Sequence, residues 1–196
     1  MLPGGSLIPS STSMRRFSAR KSGEVLMKMV ENQVKPSQIM TKNALENTVT
    51  LLSALGGSLN AMIHLPALAA ELGLSLTWEE IAKITSKTPV LTAIVPNGDE
   101  TVVDLHFAGG VPAVMKELAP VLHLEEKAAD GRTWREVLAE TEDGDRTTIH
   151  TMADPISKAD GIQVLYGNLA PDGALVKTSA VPEDYRVFTG TAKVFD

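Results

Sequence analysis

The residues best suited to chemistry lie in a glycine-rich stretch, residues 56–65, which reads GGSLNAMIHL. Two glycines before a polar residue are typical of a turn that opens a helix. The helix N-terminus presents backbone N–H groups and a positive dipole end, which suit a carboxylate or a phosphate. Asn60 adds a side-chain donor, and His64 follows one helical turn later on the same face. The alternative is a helix–helix corner with a capped start and a packed histidine, and the residues alone favour it.

A second stretch, residues 104–112 (DLHFAGGVP), is predicted to form a strand, a Gly-Gly turn and a helix. Because side chains alternate along a strand, Asp104 and His106 are expected to share one face. A carboxylate beside an imidazole can do acid–base work there, although an exposed polar strand edge is the commoner explanation. A third stretch, residues 166–177 (YGNLAPDGALVK), predicts a structural hairpin or crossover with a tight turn at residues 171–173.

The elements that must position these stretches are predicted to be helical up to about residue 143. Apolar residues recur at helical spacing, and glycines or prolines separate the recurrences. Residues 77–80 and 133–136 are capping boxes, each a threonine followed three residues later by glutamate. Proline at position 66 is tolerable only near a first turn or at a kink. Helices are predicted over residues 13–32, from Thr41 to the glycines at 56–57, from Ser58 or Asn60 to Gly73, from Thr77 to 86, over 112–119, and from Thr133.

Strand-rich sequence is predicted to follow these helices. Residues 90–95 are a strand or an extended segment, and residues 101–107 are rich in β-forming residues. After residue 143, short β-rich runs separated by turn residues replace the helical pattern, which indicates a boundary between two units near residues 143–155. The residues alone therefore indicate helices first and strands later. The later runs are residues 147–150, 162–166, 174–178, 186–188 and 192–195.

Composition excludes several classes of function. A net charge of −6 argues against nucleic acid or an anionic membrane as the main partner, because both require a basic surface. The chain has no cysteine, so it offers no thiolate for zinc or an iron–sulfur cluster, and its four histidines are far apart. Nucleophile-elbow, phosphate-loop and dinucleotide-binding motifs are absent. Four basic side chains and no acid within the first 23 residues fit either an organelle transit peptide or a loop leading into a helix.

The three stretches, in this order, resemble the family of dihydroxy-acid dehydratase, phosphogluconate dehydratase and related sugar-acid dehydratases. A GGSTNAxLHL-like turn is matched at residues 56–65, with Leu59 in place of threonine. A DLHxAGGxPAVMKEL-like stretch is matched at residues 104–118, and a GNLAPDGAxVK-like stretch at residues 167–177. Smaller matches lie at residues 2–4, 8–9, 45–47, 88–91 and 154–156.

The resemblance implies an α/β fold and a reaction. Residues 1–150 correspond to the helical C-terminal part of the family's N-terminal α/β domain, and residues 151–196 to the incomplete start of its C-terminal β-barrel domain. The family removes water from a 2,3-dihydroxy acid and forms an enol that becomes a 2-keto acid. It uses an iron–sulfur cluster and Mg²⁺, and a serine of the C-terminal domain takes the proton. The chain is thus expected to be part of a cytoplasmic hydro-lyase with a small-molecule substrate, homo-oligomeric at full length, without nucleic-acid or membrane partners.

Departures from the family pattern limit what the resemblance implies for single residues. The cluster cysteines and the C-terminal signatures resembling TDGRFSG and GTSG have no counterpart. Met1 is expected to follow the last cluster cysteine of full-length relatives, and Asp196 to fall within the early barrel strands. No catalytic or metal role carries over, and no cofactor is expected to bind this chain alone. The residues implied to lie beside substrate are Gly57, Ser58, Asn60, His64 and His106.

An alternative function is a non-enzymatic scaffold or interaction module that works with another chain. If the chain is instead a truncated member of the family, apolar faces meant to be covered by the rest of the larger fold are expected to be exposed. The candidates are Leu51, Leu52 and Leu55 on the second helix, and Ile162, Val164 and Leu165 in the strand-rich unit.

Overall fold

The computed structural model describes residues 2–158 and 161–195, apart from the Ser179 side chain. Within them the chain is a helix-rich α/β protein, as the coarse prediction of fold class has it. Short 3-10 turns lie at Pro36–Gln38, Ala119–Val121, Thr178–Ala180 and Glu183–Tyr185. The regular elements are α1 (Ser13–Glu31), α2 (Lys42–Leu55), α3 (Asn60–Glu71), α4 (Trp78–Thr85), α5 (Val102–Phe107), α6 (Gly110–Glu117), α7 (Trp134–Ala139), β1 (Ile162–Gly167) and β2 (Ala170–Lys177).

Threonine caps begin four of these helices. Thr41, Thr77, Thr101 and Thr133 each accept a hydrogen bond at the side-chain oxygen from the backbone N–H three residues later. The predicted capping boxes at residues 77–80 and 133–136 are confirmed. Capping satisfies backbone donors that the first helical turn leaves without partners, so each threonine fixes where its helix starts.

The prediction of β structure over residues 101–107 is wrong, because these residues form α5. Thr101 and Asp104 form a third capping box, in which the Thr101 N–H donates to the Asp104 carboxylate at 2.7 Å. Two features make this capping box hard to recognise in the sequence. The β-branched residues at 101–103 suggest a strand, and aspartate takes the place of the usual glutamate. On a helix, side chains two positions apart point about 200° apart, so Asp104 and His106 do not share a face.

Pro66 does not lie in the first turn of α3, which was one of the two placements expected for it. It lies in the interior of the helix, six residues after Asn60. A proline there has no N–H for the Met62 carbonyl, and this removes one hydrogen bond from the helix. The predicted stop at Gly73 is confirmed by the left-handed backbone of that glycine, with φ of 70°.

The C-terminal strands form one antiparallel hairpin. Ile162 pairs with Lys177 and Leu165 with Ala174, and the register shifts between Leu165 and Gly167. The predicted turn at residues 171–173 is wrong, because these residues belong to β2 and the chain reverses at residues 168–169. Within the described residues, the runs 186–188 and 192–195 form no strand, whereas residues 90–95 are extended and pair only through isolated bridges such as Thr92 with Ile149.

Two hydrophobic clusters form the interior. The first joins α5 and α6 to the chain around Leu91 and Ile149. The second joins α2, α3 and α4 to the hairpin, with Met62, Ile81 and Ile162 fully buried. Helix α2 contributes to both clusters, so it is the element that links the two halves of the interior.

The predicted exposed apolar faces are mostly wrong. Ile162 is buried, and Val164 is partly covered by the second cluster. Leu51 and Leu55 pack against the first cluster and Leu52 against the second, so α2 is covered by the chain itself. Leu165 is exposed as predicted. Several of the apolar side chains that do lie open belong to α1 and the C-terminal segment: Met14, Phe17, Leu26, Met27, Val30, Tyr185, Val187, Phe188, Val194 and Phe195.

Helix α1 has no buried residue along its whole length. It confirms the helix predicted from residue 13 onward. None of the helices in residues 2–158 and 161–195 is both long and apolar enough to cross a membrane.

Candidate functional site

The Gly-Gly turn between α2 and α3 is built by backbone geometry that requires glycine. Gly56 has φ of 57°, a left-handed conformation that ends α2. The Gly57 N–H donates to the Leu52 carbonyl at 2.8 Å. A Cβ on Gly57 would lie 2.8 Å from the end of the Leu52 side chain and 3.2 Å from the Leu52 carbonyl oxygen, so a larger residue would require that side chain to move. Glycine at these two positions therefore has a structural reason.

The start of α3 is less open to an anion than its sequence suggests. The Asn60 N–H donates to the Ser58 hydroxyl at 3.3 Å, and the N–H groups of Ala61 and Met62 donate to the carbonyls of Ser58 and Leu59. Only the N–H groups of Ser58 and Leu59 lack an acceptor among the described hydrogen bonds. The turn thus offers two backbone donors rather than a full set.

Asn60 and His64 are exposed on the outer face of α3. The alternative of a packed histidine is wrong, since the interior positions of this helix are Met62, Leu65 and Ala69. None of the hydrogen bonds or ion pairs described for the chain involves the side chain of Asn60 or His64. Both side chains are therefore free to meet a ligand or a partner.

His106 lies in a different environment. It is half-buried on α5, and its ring meets the edge of the Phe107 ring at a centroid distance of 5.2 Å. Asp104 is not available to it as an acid–base partner. The Thr101 hydroxyl, followed by the Thr101 backbone N–H, binds the Asp104 carboxylate and holds its pKa below the usual value. The candidate carboxylate–imidazole pair is therefore not formed, and the favoured alternative of a polar strand edge is also wrong, because both residues lie on α5.

The end of this second stretch fastens the loop that follows α7. Lys116 bridges to Asp143 at 2.7 Å and donates to the Thr141 carbonyl, and it lowers the pKa of Asp143. Glu117 bridges to Arg146 at 2.6 Å. Within residues 104–118, Asp104, Lys116 and Glu117 are thus engaged in hydrogen bonds or ion pairs, whereas the contact described for His106 is that with the Phe107 ring.

A further polar cluster, which the sequence analysis did not single out, joins α2 to residues 119–126. Asn47 accepts a hydrogen bond from the His123 N–H at 2.8 Å and donates to the His123 carbonyl at 3.0 Å. The Glu46 carboxylate lies 3.0 Å from the His123 ring nitrogen. The signal in the sequence is residues 45–47, a buried leucine followed by two polar residues on a helix. The contacts of this cluster give it a structural role, because they hold α2 against residues 119–126.

The predicted site residues therefore fall into two places. Gly57, Ser58, Asn60 and His64 lie together at the start of α3. Among the residues that the structure describes, no hydrogen bond, ion pair or ring contact joins His106 to them. None of the five lines the cavity of about 600 Å³ between α1 and residues 127–131.

The donors among the described residues do not make up a site for a metal ion or an iron–sulfur cluster. The chain has no cysteine, and in residues 2–158 and 161–195 no three histidine or acidic side chains are placed to hold a metal ion. These residues do not fit an iron–sulfur cluster, which requires thiolate ligands.

Comparison with known proteins gives the class of this helix-rich α/β chain. The sequence model of the dihydroxy-acid/6-phosphogluconate dehydratase N-terminal region matches residues 1–137. That of the C-terminal region matches residues 147–196. The chain belongs to the dihydroxy-acid/6-phosphogluconate dehydratase family.

Individual relatives agree with the family. The chain is 44% identical over 197 residues to a dihydroxy-acid dehydratase of Caldanaerobacter subterraneus. It is 43% identical over 197 residues to one of Acetivibrio thermocellus and 42% over 198 residues to one of Ignicoccus hospitalis. Each comparison covers all of this chain but only 35% or 36% of the relative. The chain spans about a third of the length of the curated relatives it matches.

Proposed function

We propose that this chain is part of a hydro-lyase that removes water from a 2,3-dihydroxy acid and yields a 2-keto acid. The observation that carries the proposal is identity above 40% along the entire chain to proteins named dihydroxy-acid dehydratase. The reaction breaks the C3–O and C2–H bonds, releases water, and leaves an enol that tautomerises.

In this proposal the start of α3 lies beside the substrate. The free N–H groups of Ser58 and Leu59, the Ser58 hydroxyl and the Asn60 carboxamide are donors at the positive end of a helix, which suits a carboxylate. Gly57 lets the turn pack closely against Leu52 of α2. His64 lies one helical turn after Asn60 and extends the same face of α3. His106 is a separate, second contact, to be reached from the α5 side.

The remaining machinery is proposed to lie outside this chain. An iron–sulfur cluster and Mg²⁺ would supply Lewis acidity in the whole protein, and their ligands would come from other segments, because the residues present here do not fit them. The whole protein is expected to be a cytoplasmic homo-oligomer that acts on a small molecule.

We also propose that residues 1–150 belong to an N-terminal α/β domain and residues 151–196 to the start of a C-terminal β-barrel. The change from helices to the β1–β2 hairpin supports this division. Among the residues that the structure describes, each strand of the hairpin has one edge without a strand partner, which suits the addition of further strands.

The test is a chimera. Residues 1–196 replace the matching third of the Caldanaerobacter dehydratase, and 2-keto acid formation from that protein's own substrate is measured under anaerobic conditions. We expect turnover by the chimera and none by the isolated chain. A chimera that folds and carries its cluster but forms no keto acid would overturn the proposal.

A second candidate is an interaction module without activity of its own. It is favoured by α1, whose Phe17 is 71% exposed, and by Phe188 and Phe195 in the C-terminal segment, 77% and 78% exposed. Size-exclusion chromatography of the chain alone separates the two. Self-association that is lost on Phe17→Ser substitution, together with an inactive chimera, would favour the module.

A further inference from the structure

We propose that Asn97 is a positioning residue for the substrate-binding turn at the start of α3; this inference rests on the proposed function of that turn. Asn97 lies in the loop of residues 93–100, more than thirty residues after the turn it contacts. Nothing in the motif pattern of the sequence points to it.

The loop is folded tightly enough to present one side chain. The Glu100 N–H donates to the Ala93 carbonyl at 3.1 Å, and the Val95 N–H donates to the Glu100 carbonyl at 2.9 Å. The Asn97 N–H donates to the Ile94 carbonyl at 2.8 Å. A Cβ on Gly98 would lie 2.3 Å from the Ala93 carbonyl oxygen, so the loop closes against itself. Its backbone therefore fixes where the Asn97 side chain points.

That side chain caps the end of α2 from outside the helix. Asn97 Nδ2 donates to the Leu55 carbonyl at 3.2 Å and to the Thr92 carbonyl at 3.4 Å. The Thr92 hydroxyl donates to the same Leu55 carbonyl at 3.1 Å. The last carbonyls of a helix lack donors within the helix. Here the donors to the Leu55 carbonyl come from a segment distant in sequence. Because both acceptors are carbonyls, the donating nitrogen of Asn97 must face them, which fixes the orientation of its amide.

The same nitrogen sets the backbone of the turn. It would lie 2.2 Å from a Cβ on Gly56, so the amide fills the space beside the left-handed glycine. Gly56 leads directly through Gly57 to Ser58 and Asn60. The contact between the Asn97 amide and Gly56 therefore restrains the direction in which α3 begins. It also restrains the positions of the free N–H groups at the start of α3.

The carboxamide oxygen of Asn97 limits what this side chain adds to stability. Asn97 Oδ1 is buried and has no hydrogen-bond partner among the described residues. A buried acceptor without a donor costs free energy, which offsets two rather long hydrogen bonds from the nitrogen.

Nuclear magnetic resonance on the 196-residue chain tests the proposal with D-glycerate, the smallest 2,3-dihydroxy acid, as the probe. Wild type is expected to show glycerate-dependent shifts of the Ser58, Leu59 and Asn60 amides. Asn97→Asp keeps the shape but cannot donate, and Asn97→Ala removes the contact while avoiding a new charge. Either is expected to weaken the glycerate response about tenfold, as small misplacements of binding groups do. Asn43→Ala, which removes an exposed asparagine at the other end of α2, should respond as wild type.

Three outcomes are decisive. Loss of the response in the Asn97 variants, with the thermal midpoint little changed, supports the proposal. Equal responses in wild type and both variants overturn the role of Asn97 and leave the proposed function intact. No response at the turn in wild type overturns the proposed function of the turn, and this inference with it.

A double-mutant cycle checks the contact itself without a ligand. Gly56→Ala is expected to lower the thermal midpoint less in the Asn97→Ala background than in wild type, because the clash with Nδ2 is gone. Equal losses in both backgrounds would show that Asn97 does not press on Gly56.

Discussion

Residues 56–65 and residues 104–118 share a pattern, two glycines followed by a helix, yet the structure uses them differently. In the second stretch Asp104 caps a helix and Lys116 and Glu117 hold the loop after α7. In the first stretch Asn60 and His64 are exposed and make no described contact. In a chain of this family, polar side chains that have no described partner are better candidates for contact with substrate than those that hold the fold together. The difference separates motif residues that build the fold from those available for chemistry.

The largest expected effect tests whether the second stretch is a helix that builds the core. Leu105 is 1% exposed and Phe107 is 72% exposed, although a strand would place both on one face. Leu105→Ala should reduce the free energy of unfolding by about 2–5 kcal/mol, as other core truncations do. Phe107→Ala is the matched control and should cost less than about 0.5 kcal/mol. Urea denaturation measures both, and similar losses would argue for the strand.

A smaller effect is expected from the cap that begins α5. Thr101→Ala removes the acceptor for the Asp104 N–H and should cost about 1 kcal/mol. Thr101→Ser keeps a hydroxyl in place and should retain most of the stability. If alanine and serine give equal thermal midpoints, the capping box does not hold α5.

The dependence of the free energy of unfolding on pH, on the acid side, should report the same Thr101–Asp104 capping box. Because the Thr101 hydroxyl lowers the pKa of Asp104, the stability it contributes is fully present above the unfolded pKa, near pH 4. It is lost as the pH falls from there through the lower folded pKa. Asp104→Asn should therefore lose less stability than wild type between pH 5 and about pH 2. Thr101→Ala removes the cause and should flatten the profile in the same direction.

Much of the fold could be predicted from local signals. The structure confirms the helix caps at Thr41, Thr77 and Thr133 and the helix end at Gly56. Each of them depends on contacts between residues no more than four positions apart in the sequence. Helix α5 was missed because its capping aspartate follows β-branched residues that suggest a strand. The reversal at residues 168–169 was missed because Pro-Asp-Gly suggests a turn, whereas pairing with β1 keeps those residues in a strand.

The candidate site was predictable only in part. The glycine turn is visible in sequence, but the partners of its residues are not. That Asp104 is occupied by Thr101, and that Asn97 reaches Gly56, depends on the chain's path in space. Sequence can indicate which side chains are able to bind a ligand; contacts decide which of them are already engaged.

The measurement closest to the central claim is kcat/KM of the chimeric dehydratase with Asn60→Ala or His64→Ala, compared with Asn43→Ala and with the stability of each variant. Both α3 substitutions should leave the free energy of unfolding within about 0.5 kcal/mol of the parent, because neither side chain has a described partner. Asn60→Ala should lower kcat/KM about 100-fold, as the loss of a positioned donor does, while Asn43→Ala leaves it unchanged. Unchanged kcat/KM in both α3 variants, in a chimera that turns over, would contradict the account.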